Sequence, residues 1–211
     1  DYLEKANGQL QFQGAIRMHA QDTSASFLRL FYEKLIPESD MEWCGEKEHS
    51  QICWEKDTTL PAEGYRILVT PAKITVCAAD NAGFIYAIQS LRQWSIREGN
   101  KLIFPCVEIT DFPRVKWRSF MLDSGRQYQK VSTIKKYIDM ASMLKMNYFH
   151  WHLTDDQGWR IEIKKYPLLT QIGAFRDSTQ LENSRSNKYL QKPHGGFYTQ
   201  EEIKEIIRYA D

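Results

Sequence analysis

The feature that most constrains this fold is a change of rhythm at Thr110-Asp111-Phe112-Pro113-Arg114. There, short strands with covering helices give way to strand, helix, strand, helix alternation. Pro113 removes a backbone donor and forces Phe112 out of helical geometry, so a segment boundary is expected at that point. Before it, Leu10 to His19 reads as a strand. Ser24-Ala25-Ser26 then introduces a helix with Phe27, Leu28, Leu30, Phe31 and Leu35 on one face, which Pro37 ends. Further strands are expected near Gln51 to Trp54, at Tyr65 to Val69 and at Ile74 to Cys77, the last two separated by Thr70-Pro71. Asp80-Asn81 supplies the cap of a second helix in which Phe84, Ala87, Ile88, Leu91 and Trp94 recur at three and four residues. Gly99-Asn100 is expected to close that helix, and Leu102 to Ile109 to form a final strand. Residues 1–112 thus read as a small α+β domain, a sheet covered by two helices.

In residues 113–211 the first strand is Trp117 to Leu122. Ser132 or Thr133 caps a helix whose stripe is Ile134, Tyr137, Ile138, Ala141 and Leu144, and Tyr148 to Leu153 is the second strand. The alternation predicts parallel pairing through crossover helices. Thr199-Gln200-Glu201-Glu202 is a capping box before Ile203, Ile206 and Ile207, and the strand after that helix is expected beyond Asp211. The segment from Ser178 to His194 is longer than an ordinary connection and is expected to lie beside the functional site or to be mobile.

Charge narrows the partner. Lys+Arg 28 against Asp+Glu 27 leaves a formal +1, so no whole-chain field draws the protein to nucleic acid or to an anionic membrane, and a neutral polar ligand fits better. No apolar run approaches the roughly 20 residues that span a bilayer. The opening Asp1-Tyr2-Leu3-Glu4-Lys5 is no signal peptide, which leaves location open, a secreted or periplasmic one included. The chain is expected to be cut from something longer. Cys77 and Cys106 sit in apolar runs and are expected as buried thiols, whereas Cys44 and Cys53 flank a polar loop and would pair only in an oxidising compartment. The cysteines lack metal-ligand spacing, so zinc is not expected at them.

The chemistry gathers at two strand ends. The first runs into Asp123-Ser124-Gly125-Arg126. The second, Phe149-His150-Trp151-His152-Leu153, runs into Thr154-Asp155-Asp156-Gln157-Gly158-Trp159-Arg160. In parallel βα barrels ligands meet the C-terminal strand ends, so both sets would face one pocket. Arg126 could hold sugar hydroxyls with its planar fork of donors, and Asp155 could accept from a hydroxyl or orient an imidazole. Blander readings exist: Arg126 as a structural partner of Asp123, Asp155-Asp156 as solvated carboxylates of a capped loop, and Trp159 and Arg160 as buttresses of that loop. His150 and His152 share a strand face as a metal-binding pair would. Further ligands are absent around them, and they are expected instead as hydrogen-bonded packing inside the barrel. His194-Gly195-Gly196 supplies permissive backbone, with His194 near the pocket mouth.

These residues, together with Gly195-Gly196-Phe197-Tyr198-Thr199, closely resemble glycoside hydrolase family 20, the β-N-acetylhexosaminidases, over residues 117 to 210, and the preceding unit looks like the non-catalytic domain found before the barrel in that family. The resemblance implies a (β/α)8 TIM barrel that removes terminal β-linked N-acetylglucosamine or N-acetylgalactosamine from glycans. It implies retention of configuration, with the substrate's own acetamide as nucleophile, and neither a metal nor a cofactor. It implies that Arg126 binds ring hydroxyls of the terminal sugar and that Asp155 belongs to the network behind the acid, with Asp123, Asp156, His152, Trp159 and His194 in support. The family's adjacent Asp-Glu pair occurs nowhere in these 211 residues, so acid Glu and partner Asp are expected beyond Asp211 and the chain alone is expected to be inactive. About a hundred residues follow Pro113, against roughly 250 in a complete barrel. The open sheet edge must then be covered by more chain or by another molecule. Two rival readings are a carbohydrate-binding homologue without the acid and, more remotely, a metal-dependent TIM-barrel hydrolase.

Overall fold

The computed structural model describes residues 2–12, 15–22, 26–36, 41–99, 101–182 and 185–211. The chain divides into two compact units, Asp1–Lys116 and Trp117–Asp211.

The first unit comprises β1 (Tyr2–Phe12), β2 (Ile16–Ala20), α1 (Ser26–Leu35), β3 (Met41–Trp43), β4 (Ile52–Lys56), β5 (Tyr65–Val69), β6 (Ile74–Ala78), α2 (Asn81–Trp94), β7 (Ile96–Glu98) and β8 (Lys101–Asp111). Its sheet runs β1-β8-β5-β6-β4-β2-β3, with β7 also on β8. Pairing is antiparallel from β1 through β6 and parallel from β6 through β3. In β5 the side chains alternate, Tyr65, Ile67 and Val69 buried and Arg66 and Leu68 exposed, which marks a sheet packed on one face. Onto that core go Phe27, Leu28, Phe31 and Leu35 of α1 and Phe84, Ala87, Ile88 and Leu91 of α2. Trp54 is 1% exposed, with the rings of Phe27, Phe31 and Phe84 within 6.0 Å between centroids.

Two expectations are corrected here, and one question the sequence left open, the pairing of Cys44 with Cys53, is described with them. The segment Leu10 to His19, expected as one strand, contributes to two strands that lie far apart in the sheet, β1 at one edge beside β8 and β2 between β4 and β3. The second helix ends at Trp94, where Ser95 N donates to Leu91 O. Gly99, with φ +58, instead turns β7 back into β8. Cys44 and Cys53 are free thiols: Cys44 Sγ donates to Met18 O and Cys53 Sγ to Glu55 Oε1, and burial, then that carboxylate, push the Cys53 thiol up to about 11. Cys77 and Cys106 are buried as expected. Ser24, Ala25, Pro37 and Asn100, on which expected helix limits rest, lie outside the described residues.

The second unit opens with β9 (Ser119–Asp123), α3 (Val131–Met143) and β10 (Tyr148–His152), and β9 and β10 pair in parallel. After β10 the chain forms short ladders, β11 (Thr154–Asp155) with β12 (Gly158–Trp159), then one turn of helix, α4 (Leu168–Gln171). Two further ladders pair β13 (Phe175–Arg176) with β16 (His194–Gly195) and β14 (Thr179–Gln180) with β15 (Tyr189–Leu190), before α5 (Gln200–Ala210). Asn183 and Ser184, within the long connection, lie outside the described residues. Thr199 caps α5 through the expected capping box with Glu202. The cap of α3 is corrected: the helix begins at Val131 behind Lys130, without a side-chain bond. The physical cause is Gln129, whose carbonyl takes the Tyr198 hydroxyl at 2.6 Å and so fixes the entry ahead of Ser132.

The buried cluster of this unit is Ile134, Tyr198 and Ile206, with Leu122, Phe149, Trp151 and Ile203 partly buried against it. Tyr137 and Leu144, expected in the buried stripe of α3, are exposed. Leu122 and Trp151 therefore face the helices, and Met121, Asp123, His150 and His152 lie on the opposite face. Among the described residues no helix is long and apolar enough to cross a membrane.

Candidate functional site

Parallel pairing sets Asp123 opposite His152 at the last rung of β9 and β10. Both chains then turn: Ser124 N and Gly125 N each donate to His152 O at 3.0 Å, so the loop after β9 folds back over the end of β10. A three-residue turn follows in which Arg126 N donates to Asp123 Oδ1 at 3.0 Å. It aims the guanidinium across the strand ends.

Arg126 reaches three acceptors. Nη1 donates to Asp123 Oδ2 at 2.8 Å, Nη2 to Asp155 Oδ2 at 2.9 Å and Nε to Gln157 Oε1 at 3.1 Å. The side chain stays 53% exposed, and a guanidinium carries five N–H donors, so one on each terminal nitrogen is left for a ligand oxygen. Asp155 is the hinge of the network: His152 Nε2 lies 2.8 Å from its Oδ2, and Asp156 N donates to its Oδ1 at 2.8 Å. The His152 bond, the Asp156 bonds and the Arg126 charge hold its carboxyl down at about 2. An ionised Asp155 can only accept, so Nε2 of His152 is the donor in this bond. Burial works to raise the Asp123 carboxyl, but hydrogen bonds from the Arg126 side chain and backbone outweigh it, and Asp123 too is lowered. Ion pairs this exposed add little to folding. Their effect is orientation.

The other expected residues stand further out. Asp156 contributes its backbone N–H to Asp155 and is exposed. Trp159 Nε1 donates to Ile161 O at 2.8 Å, the buttressing position. His194 Nε2 accepts from Tyr128 N at 3.0 Å, and burial, then Arg176 and Arg160, lower its basicity. His150, expected as packing, is exposed, its ring 6.1 Å from that of His152. Among the described residues no three His, Cys, Asp or Glu side chains come together as a metal would require.

Two residues were not singled out from sequence. Gln157 appeared only as part of a motif. Arg176 lies fifty residues from Arg126, yet its Nη2 donates to Arg126 O at 2.7 Å and its Nη1 to Gln157 O at 3.1 Å. No pattern signals it, because the bonds that reach the site go to main-chain carbonyls, and its Nε is held by Thr179 Oγ1 at 3.0 Å.

Residues 2–112 match the model of glycosyl hydrolase family 20, domain 2, and residues 115–211 that of glycosyl hydrolase family 20, catalytic domain. The chain belongs to glycosyl hydrolase family 20. The family relation implies an α/β domain followed by a TIM-barrel catalytic domain. A crystal structure of a β-N-acetylhexosaminidase from Bacteroides fragilis is 68% identical, with a TM-score of 0.86, over 99% of this family 20 chain and 41% of that one. An exo-β-N-acetylglucosaminidase from Vibrio harveyi, solved in complex with N-acetylglucosamine, is 30% identical with a TM-score of 0.84, over 99% of this chain and 33% of its own. A β-hexosaminidase from Vibrio furnissii is 33% identical over 210 residues, all of this chain and 34% of that protein. The chain thus spans about a third of the length of that curated relative.

Proposed function

We propose that this chain is the opening part of a β-N-acetylhexosaminidase, a retaining glycosidase acting on glycans with terminal β-linked N-acetylglucosamine or N-acetylgalactosamine. The observation that carries the reading is the 2.9 Å approach of Arg126 to Asp155 at the C-terminal ends of two parallel strands. In this reading residues 1–112 form the non-catalytic domain, and β9, α3 and β10 are the first pieces of a (β/α)8 barrel that residues 113–211 begin. Arg126 presents its two unused N–H groups to ring hydroxyls. Asp123, Asp155 and Gln157 hold its plane, so the sugar meets donors already oriented. Asp155 and His152 form a charged, hydrogen-bonded support behind the acid, with Asp156, Trp159 and His194 securing the surrounding loops.

The chemical step belongs to an adjacent Asp-Glu pair supplied by later residues, the Glu protonating the leaving oxygen and the Asp orienting the substrate acetamide as it attacks the anomeric carbon. Exposed apolar side chains on and beside the strand pair, Met121 53%, Tyr148 46% and Trp117 65% exposed, support a barrel whose remaining strands or another molecule cover them. The test is hydrolysis of a chromogenic N-acetyl-β-glucosaminide by the chain alone and by a protein extended through a whole catalytic domain. Turnover by the extended protein alone is expected. Equal, specific turnover by the chain alone would refute the assignment of the chemistry to later residues, and sugar binding without turnover by the extended protein would return the binding-only reading.

A further inference from the structure

We propose that Arg160 is a positioning residue for Arg126: a buried guanidinium that fixes, through main-chain carbonyls, the turn from which the sugar-facing guanidinium projects. The inference rests on the sugar-site reading given above and extends it to a residue that touches no sugar.

Arg160 is 0% exposed. Its Nε donates to Ser124 O at 2.9 Å, its Nη2 to Gly125 O at 3.1 Å, and its Nη1 to Gly196 O at 3.1 Å and to Ala174 O. Ser124 and Gly125 are the two residues immediately before Arg126. Their N–H groups are already spent on His152 O, so Arg160 secures the carbonyls of the same stretch from the other side. The remaining bonds tie in the chain beside β13 and the Gly-Gly turn at the end of β16. The acceptors come from three separate loops, and a planar fork meets them in only one arrangement. Lysine, a point charge on a flexible stem, cannot reproduce it.

Two observations separate this from filling of the core. No carboxylate pairs with Arg160 among the described residues, and burial, then Arg176, work against its charge, a cost that an apolar side chain of similar size would avoid. The chain also leaves deliberate room for it. A Cβ on Gly158 would lie 2.3 Å from Arg160 Nη2 and 2.7 Å from Gly125 O, so any other residue there would displace the fork or the turn it grips. Gly158 follows Gln157, whose amide oxygen receives Arg126 Nε, so one short ladder strand links the buried fork with the exposed one.

The experiment is a double-mutant cycle in the extended protein, reading N-acetylglucosamine affinity by calorimetry and Tm in parallel. Arg160→Lys is expected to weaken binding about tenfold, and Arg126→Ala/Arg160→Lys to bind no more weakly than Arg126→Ala alone, because the buried residue acts through the exposed one. A merely structural role would lower Tm and add its loss to that of Arg126→Ala. Additive losses, or wild-type affinity in Arg160→Lys beside a weakened Arg126→Ala, would overturn the proposal while leaving the sugar site standing. Wild-type affinity in Arg126→Ala would overturn both. Should Arg160→Lys fail to fold, Gly158→Ala moves the guanidinium without removing it, and the same non-additivity with Arg126→Ala is expected; additivity there overturns the proposal equally.

Discussion

Asp155 Oδ2 lies within hydrogen-bonding distance of both His152 and Arg126, and the charge of this one carboxylate orders the whole rim. Its carboxyl is held at about 2, below the 3.8 of an unperturbed aspartate, so the charged form is favoured by folding. The sign follows: its contribution is complete above the unfolded value and is lost as pH falls from there through about 2. In the extended protein, the difference in denaturation midpoint between wild type and Asp155→Asn should be small, as solvent screening of this exposed network requires, constant above about pH 5 and shrinking below about pH 4. A carbon-13 titration of Asp155 should give a midpoint well under those of exposed aspartates, and a midpoint at or above their range would contradict the network. At this scale the meeting of Arg126 with Asp155 was legible because both follow the end of a predicted strand. Arg176 and the four-carbonyl cradle of Arg160 were not, since a carbonyl acceptor belongs to every residue and leaves no mark in the sequence.

Among the elements, α2 shows how one capping residue does two jobs. Asp80 Oδ1 accepts from Gly83 N at 2.8 Å, the helix cap, and Oδ2 accepts from Glu63 N at 2.9 Å, where Glu63 holds a positive φ of 61 before β5. Asp80→Ala should therefore cost about 1–2 kcal/mol, at the upper end for a lost cap, whereas Asp80→Asn keeps an oxygen for Gly83 N and should cost less. Urea unfolding of the three proteins measures this, and equal midpoints for alanine and wild type would show that water replaces both bonds. The α2 cap and the α5 capping box were readable because local side-chain chemistry decides them. The start of α3 was misread because the decisive bond comes from Tyr198, about seventy residues away. The division of Leu10 to His19 was missed because both halves alternate apolar and polar residues as a strand does, Leu10-Gln11-Phe12 and Ile16-Arg17-Met18, and only pairing with distant strands tells them apart.

The two units of the molecule are unequally supported. Among the described residues the first has a continuous core of 26 buried apolar side chains, the second a cluster of three. Brief proteolysis of the chain is therefore expected to leave a resistant piece close to residues 2–112 and to degrade the second unit first. Survival of the second unit with cleavage of the first would show that its small cluster suffices. The division into units at Lys116 and Trp117 falls beside Pro113, where the rhythm of the sequence changes, while the poverty of the second core left no such mark, because Tyr137, Leu144 and Met121 look like core residues until their neighbours are known. The oxygens around Arg160 have a consequence here. They are all amide oxygens, which neither gain nor lose protons across the range in which proteins work, so acidification can discharge the carboxylates above while the framework beneath them keeps its shape.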